Sequence, residues 1–272
     1  MLKKLIKYDI KSTWRDFAGI YLSILLGVII LPFIFNYVNN DFIVITGGFI
    51  AFGIIIAVIV ITIISLFKIF NINIYSKQGY LTLTLPVTSS QILSSKLIVS
   101  SMWIVLTMIV SVIGLLVFAL LIAPLPFMDI INEIKMVIAQ LSGLGGVTIL
   151  LLVLAMIVST VKEVAKLFLA CSIAHLKQFN KFRVPIGVLS YFAFSWAESI
   201  LVQGVAMISG PFLKDKSIFI SQLNTISNLG SLQEALGLFN WVMGLALLYG
   251  VVLIIAYSIC NIWILNNKLD LS

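Results

Sequence analysis

Charge is what this sequence has least of. Charged residues fill 10% of its 272 positions, against about 25% in soluble domains, while 61% are hydrophobic and the mean hydropathy is +1.19. That balance excludes a water-soluble globular domain. Histidine occurs once, as His175, so neither an HExxH zinc motif nor a paired-histidine intramembrane metal centre can be built. Cysteine occurs twice. Cys171 and Cys260 stand far apart within or beside apolar runs, which suggests no disulfide framework. His175 follows Cys171 by four residues, but two ligands on one helix face without a third seldom make a metal site. There is no GxxxxGK(S/T) phosphate loop and no GxSxG elbow, so the chain has no nucleotide site of that kind and no serine-hydrolase signature. A serine–lysine pair is the one enzyme chemistry that residue counts leave open, and no catalytic residue is assigned.

What is present is apolar sequence in long runs. A membrane span needs about 20 mostly apolar residues. Such runs occur at Phe17–Tyr37, Phe42–Phe67, Leu97–Ala123, Val137–Val161, Val184–Ile208 and Leu236–Leu265. The expected fold is an all-α membrane protein of six transmembrane helices in a single transmembrane domain, 1–272. The polar remainder is too short for a separate domain, so function must reside in the membrane and at its two faces. Two halves of three spans each are conceivable, although no sequence pattern repeats between them.

The basic residues orient the chain. One side collects Lys3, Lys4, Lys7, Lys11, Arg15, Lys68, Lys77, Lys96, Lys162, Lys166, Lys177, Lys181, Arg183 and Lys268; the other holds Lys135, Lys214 and Lys216. Fourteen against three puts the first set, and with it both termini, in the cytoplasm by the positive-inside rule. The net charge of +7 then reads as topology and not as nucleic-acid binding.

The first apolar run leads into Pro32, Phe33 and Asn36 without a small-residue cleavage pattern, so it reads as an uncleaved span. Before it, Leu2, Leu5, Ile6, Ile10 and Trp14 recur at helical spacing while Lys3, Lys7, Lys11 and Arg15 step along another face. That pattern predicts an amphipathic interfacial helix, apolar face down and lysines towards anionic lipid.

Between spans two and three lies "GYLTLTLPVTSSQILSSKL", residues 79–97, too polar to span a bilayer and too apolar for a solvated linker. Pro86 breaks what precedes it. Thr88 and Gln91 form a T-x-x-Q capping box, flanked by Val87 and Ile92 at the spacing of a hydrophobic staple, which predicts a fixed start for the third helix. "YLTLTLP" alternates apolar and polar residues, a strand pattern with no partner strand, so a compact surface element is expected, a helical turn as readily as extended chain.

This stretch resembles the cytoplasmic segment between spans two and three of type-2 ATP-binding-cassette (ABC) exporter permeases of Gram-positive bacteria. There it reads as a glycine or acidic residue, Tyr-Leu, a Leu-Thr-Leu-Pro-Val core and a serine- and lysine-containing helix start. "SIAHLKQFNKFR", 172–183, is a second and weaker likeness, to the basic exit of such permeases' fourth span. The resemblance implies a half-transporter that pairs with a second permease protomer, identical or homologous, and docks two copies of a separate ATPase subunit. No cofactor would be bound directly; ATP and Mg would enter through the partner. Gly79, Tyr80, Leu81, Thr82, Leu83, Pro86 and Thr88 would form the coupling element. The implied cargo is hydrophobic or amphipathic peptide (bacteriocin, peptide toxin or peptide antibiotic), moved outward across the cell membrane. The same likeness extends the fourth span, as one bent helix from about Gly146 to Phe179.

Few charges remain for the membrane interior. Lys162, Glu163 and Lys166 follow the fourth apolar run, either at the inner interface as topogenic residues or inside that longer helix. Glu198 lies near the middle of span five. Tyr191 and Ser195 share its helix face, at i, i+4 and i+7. An ionisable residue at such depth is a functional candidate, lining a translocation path or locked to Lys162 or Lys166. Outside the membrane, Pro124–Met136 and Pro211–Ala235 are short loops, the second carrying Ile218, Phe219, Leu223 and Ile226 at roughly helical spacing. Three classes of function fit: the exporter permease, a self-contained secondary carrier or channel, and a small intramembrane enzyme or scaffold. A carrier should show charge networks in repeated halves, and the sequence offers them only in spans four and five.

Overall fold

A run of Ile, Leu and Val withdrawn from water has no outside partner for its backbone N–H and C=O groups, and an α-helix satisfies them internally. In the computed structural model the described residues are 2–37, 41–75, 88–122, 145–176, 182–212 and 229–267, with scattered positions of 129–143. They form six long helices: α1 Leu2–Tyr37, α2 Asp41–Tyr75, α3 Ser89–Ile122, α4 Gly146–Ala174, α5 Arg183–Phe212 and α6 Leu229–Asn267. All six are long and apolar enough to cross a membrane, the architecture of a multi-pass membrane protein. Hydroxyls within them turn back on the helix: Thr13 donates to Asp9 O, Thr62 to Val58 O, Thr107 to Trp103 O and Ser195 to Tyr191 O. A serine or threonine can therefore sit in apolar surroundings without an unpaired donor.

The chain divides into two units, residues 1–139 and 140–270, the last two residues grouping with the first. Each is three helices long, and the same plan recurs in both. The first helix of a unit packs most extensively on the third and next on the second. In the first unit α1 and α3 run parallel, with Asp9 bonded to Ser95 and Tyr21 beside Thr107. Phe17 stacks on Trp103 at 4.5 Å, and Ile20, Leu66, Ile69 and Val99 complete that core. In the second unit α4 and α6 run parallel, around Val164, Phe168, Leu169, Tyr257 and Ile264.

Several helices extend beyond the apolar runs read in the sequence: α2 continues to Tyr75, α3 starts at Ser89 and α6 at Leu229. The first span and the basic arm form one 36-residue helix, and no separate interfacial helix is resolved from it. Within the arm, Ile6 and Ile10 of the apolar face pack against the first unit's core, beside buried Asp9 and Thr13, while Trp14 is exposed. The fourth span, expected over 137–161, instead begins at Gly146, after Gly145 turns the backbone at φ 81, a region that favours glycine. It runs on through Lys162, Glu163 and Lys166 to Ala174, so the longer helix from about Gly146 is found with the three charges inside it, ending short of Phe179. Hydropathy ends a span at a cluster of charges; the helix continues because these charges find partners.

The expected start of the third span is found. Gln91 N–H reaches Thr88 Oγ1 at 3.4 Å and Thr88 O at 2.9 Å, so Thr88 caps α3. Gly79, Tyr80, Leu81, Thr82, Leu83, Pro86 and Val87 lie outside the described residues, as does the loop segment 213–228.

Close approach of α4 and α6 depends on one glycine. A Cβ at Gly250 would stand 2.7 Å from Val158 Cγ1. Gly250→Ala is therefore expected to destabilise the second unit by about 1–3 kcal/mol through overpacking, read as a lower midpoint of thermal unfolding.

Candidate functional site

The second unit brings together Lys162, Glu163 and Lys166 of α4, Tyr191 and Glu198 of α5, and Tyr257 of α6. The three α4 residues sit within one turn, so both ammonium groups and the Glu163 carboxylate project from neighbouring positions. α5 runs antiparallel to α4 and carries Glu198, its sixteenth residue, to the same level, about 22 Å from the start of α5.

The four charges close a ring. Lys162 Nζ lies 3.0 Å from Glu198 Oε2 and 3.3 Å from Glu163 Oε1. Lys166 Nζ lies 2.9 Å from Glu163 Oε2 and 3.4 Å from Glu198 Oε1. Each lysine thus touches both carboxylates, and the formal charges cancel. Two phenols complete the carboxylates: Tyr191 donates to Glu163 at 2.9 Å and Tyr257 to Glu198 at 2.6 Å. Lys166 also sits 5.0 Å from the centre of the Tyr191 ring. Charges taken out of water need partners on this scale, because an isolated one costs several kcal/mol. The Lys166 side chain is 4% exposed and that of Glu198 11%, whereas Glu163 is 43% exposed, so the ring is closed on the Glu198 side and open at Glu163.

The sequence reading named five of these residues but missed Tyr257. Of its two roles for Glu198, pairing with a lysine is the one seen, and it involves both lysines. Ser195, on the same face of α5, bonds to its own helix at Tyr191 O, 3.0 Å away. Further along α6, Asn261 is 1% exposed, accepts from Ser172 at 2.8 Å and donates to Ala165 O at 3.3 Å. The Tyr249 hydroxyl is buried with no hydrogen-bond partner among the described residues. Tyr249, Tyr257 and Asn261 fall at i, i+8 and i+12, one polar face on an otherwise apolar helix, and that spacing was the available signal.

A second buried ion pair went unread. Asp9 of α1 pairs with Lys96 of α3, and Ser95 donates to Asp9 at 3.2 Å. One turn on, Trp103 Nε1 donates to Thr13 at 2.9 Å. The exposed Lys68–Asp16 bridge at 2.8 Å lies beyond, on α2 and α1. From Phe17 to the end of α1 the rise is about 31 Å, close to a hydrocarbon core of about 30 Å. Asp9 stands about 12 Å along α1 before Phe17.

His175 Nδ1 donates to Cys171 O at 2.8 Å, and the described residues contain no group of three His, Cys, Asp or Glu able to hold a metal. In the first unit an apolar groove of about 290 Å³ is lined by Gly27, Leu31, Ile54, Val58, Gly114 and Phe118. It offers little to orient a polar ligand. Comparison with protein-family models, curated proteins and solved structures finds no match for this chain.

Proposed function

We propose that this chain is the membrane subunit of an ATP-driven exporter of the type-2 ABC permease kind, carrying hydrophobic or amphipathic peptides outward across the cell membrane. The observation that carries the reading is the stretch Gly79–Leu97, in a chain with six membrane-length helices and no phosphate-loop motif. A separate ATPase subunit, in two copies, supplies hydrolysis, and a second permease protomer completes the pathway. Both termini face the cytoplasm, on the side where fourteen of the seventeen basic residues collect. Thr88 then becomes the point where a docked segment passes its movement to α3, and the Asp9–Lys96 pair ties α3 to α1 two turns further on.

The test is capture of the ATPase. A leucine or tyrosine filling a pocket contributes about 1.5–3 kcal/mol, and a lone charge in its place must be desolvated without a partner. Leu83→Asp is therefore expected to lose co-purifying ATPase and substrate-stimulated hydrolysis. Thr88→Ala removes a cap worth about 1 kcal/mol and should lower the unfolding midpoint of α3 while leaving the ATPase bound. Leu83→Asp that binds and couples like the parent would show that this segment is not a docking element.

A second reading draws on a specific finding. Buried charge pairs occur in both three-helix units, as a carrier built from repeated halves would have them. It predicts transport by the chain alone, driven by an ion gradient and indifferent to ATP.

A further inference from the structure

We propose that the ring of Lys162, Glu163, Lys166 and Glu198 is a two-register coupling, which lets α5 move along α4 by up to about one helical turn while every charge stays paired. The inference holds whichever energy source drives transport.

The geometry supplies two complete pairings. In one, Lys162 holds Glu198 at 3.0 Å and Lys166 holds Glu163 at 2.9 Å. In the other, Lys166 holds Glu198 at 3.4 Å and Lys162 holds Glu163 at 3.3 Å. Glu198 stands astride the two lysines, one oxygen towards each. Displacing α5 towards either lysine lengthens one contact and shortens the other, and Glu163 takes up the lysine released. A single lysine–glutamate bridge has no such property, since sliding would strand two charges in an apolar medium.

The surrounding contacts suit that movement. Where α5 crosses the end of α4 the facing residues are small. A Cβ on Gly187 would stand 3.4 Å from that of Ala174, and Ser190 reaches Ala170 O at 3.4 Å. α6 offers phenols at two levels. Tyr257 bonds Glu198 now, while Tyr249 neighbours Gly250, which abuts Val158, one turn of α4 beyond Lys162. The Tyr249 hydroxyl, without a hydrogen-bond partner among the described residues, lies on the side towards which Glu198 moves in the Lys162 register.

Two neutral double variants isolate the registers. Lys166→Gln with Glu163→Gln keeps only Lys162–Glu198; Lys162→Gln with Glu163→Gln keeps only Lys166–Glu198. Spin labels on cysteines at Val153 of α4 and Val188 of α5, both exposed, report the displacement in lipid-reconstituted full-length protein carrying Cys171→Ala and Cys260→Ser. Val188 sits near the level of Ala174, so the labels are separated by about 30 Å along the helices and sliding changes that distance directly. Pulsed electron paramagnetic resonance should give distances that differ between the two variants by several ångströms, at most about the 6 Å rise from residue 162 to 166. The parent distribution should span both. One shared distance in the parent and both variants identifies a static lock and overturns the proposal. So does failure of either double variant to assemble, because each register must stand alone.

Discussion

Replacing Glu198 with glutamine is expected to lower the protein's stability by about 3–5 kcal/mol, the loss that follows when one partner of a buried ion pair is removed. Two ammonium groups would then share the Glu163 carboxylate alone, and the Lys166 side chain is only 4% exposed. The glutamine still accepts from Tyr257, so the loss isolates charge from hydrogen bonding. Adding Lys162→Gln restores neutrality and is expected to recover more than half of the lost stability. Chemical denaturation of the purified protein in lipid nanodiscs measures both variants. A Glu198→Gln protein that unfolds with the parent would mean that the ring contributes nothing to the second unit.

In the first unit the matching result is expected from Lys96→Met. It strands Asp9, 7% exposed, with Ser95 as its remaining side-chain partner on α3. The loss should again be about 3–5 kcal/mol, but confined to one place. Amide hydrogen exchange should speed up over Leu2–Asp16, where α1 depends on α3, and stay unchanged in 146–174. The double replacement Asp9→Leu with Lys96→Met should be close to neutral, since an apolar pair of similar volume avoids the desolvation of both ions. Uniform loosening of both units would show that the Asp9–Lys96 pair is not a local clamp.

These two pairs also show how far the sequence can be read. Six spans were legible because a helix that crosses a bilayer must be long and apolar, and length with composition finds such runs. Glu198 was legible because one carboxylate in an apolar run has no structural excuse, and Tyr191 fell on its face by spacing alone. Thr88 was legible because a cap is a local contact. Asp9 was not. It sits among lysines in a segment that looks like a solvated arm, and only the packing of α1 on α3 buries it. Hydropathy alone ended α4 too early, and the longer helix from about Gly146 came nearer, for a related reason: hydropathy scores each charge singly, whereas four mutually paired charges behave as one neutral group. The repeated plan of three helices is carried by which helices touch, and the two halves share no residue pattern that would betray it.

If this chain is, as proposed, the membrane half of a machine whose energy comes from another subunit, that subunit should travel with it. The most direct measurement is affinity isolation of the tagged, full-length chain from its native membrane, followed by assay of the isolate for Mg-dependent ATP hydrolysis. The expected result is a co-isolated ATPase in equal number to the permease protomers, with hydrolysis stimulated by an amphipathic peptide and lost with Leu83→Asp. A chain isolated without any ATPase, which transports on reconstitution alone under an ion gradient, would contradict it.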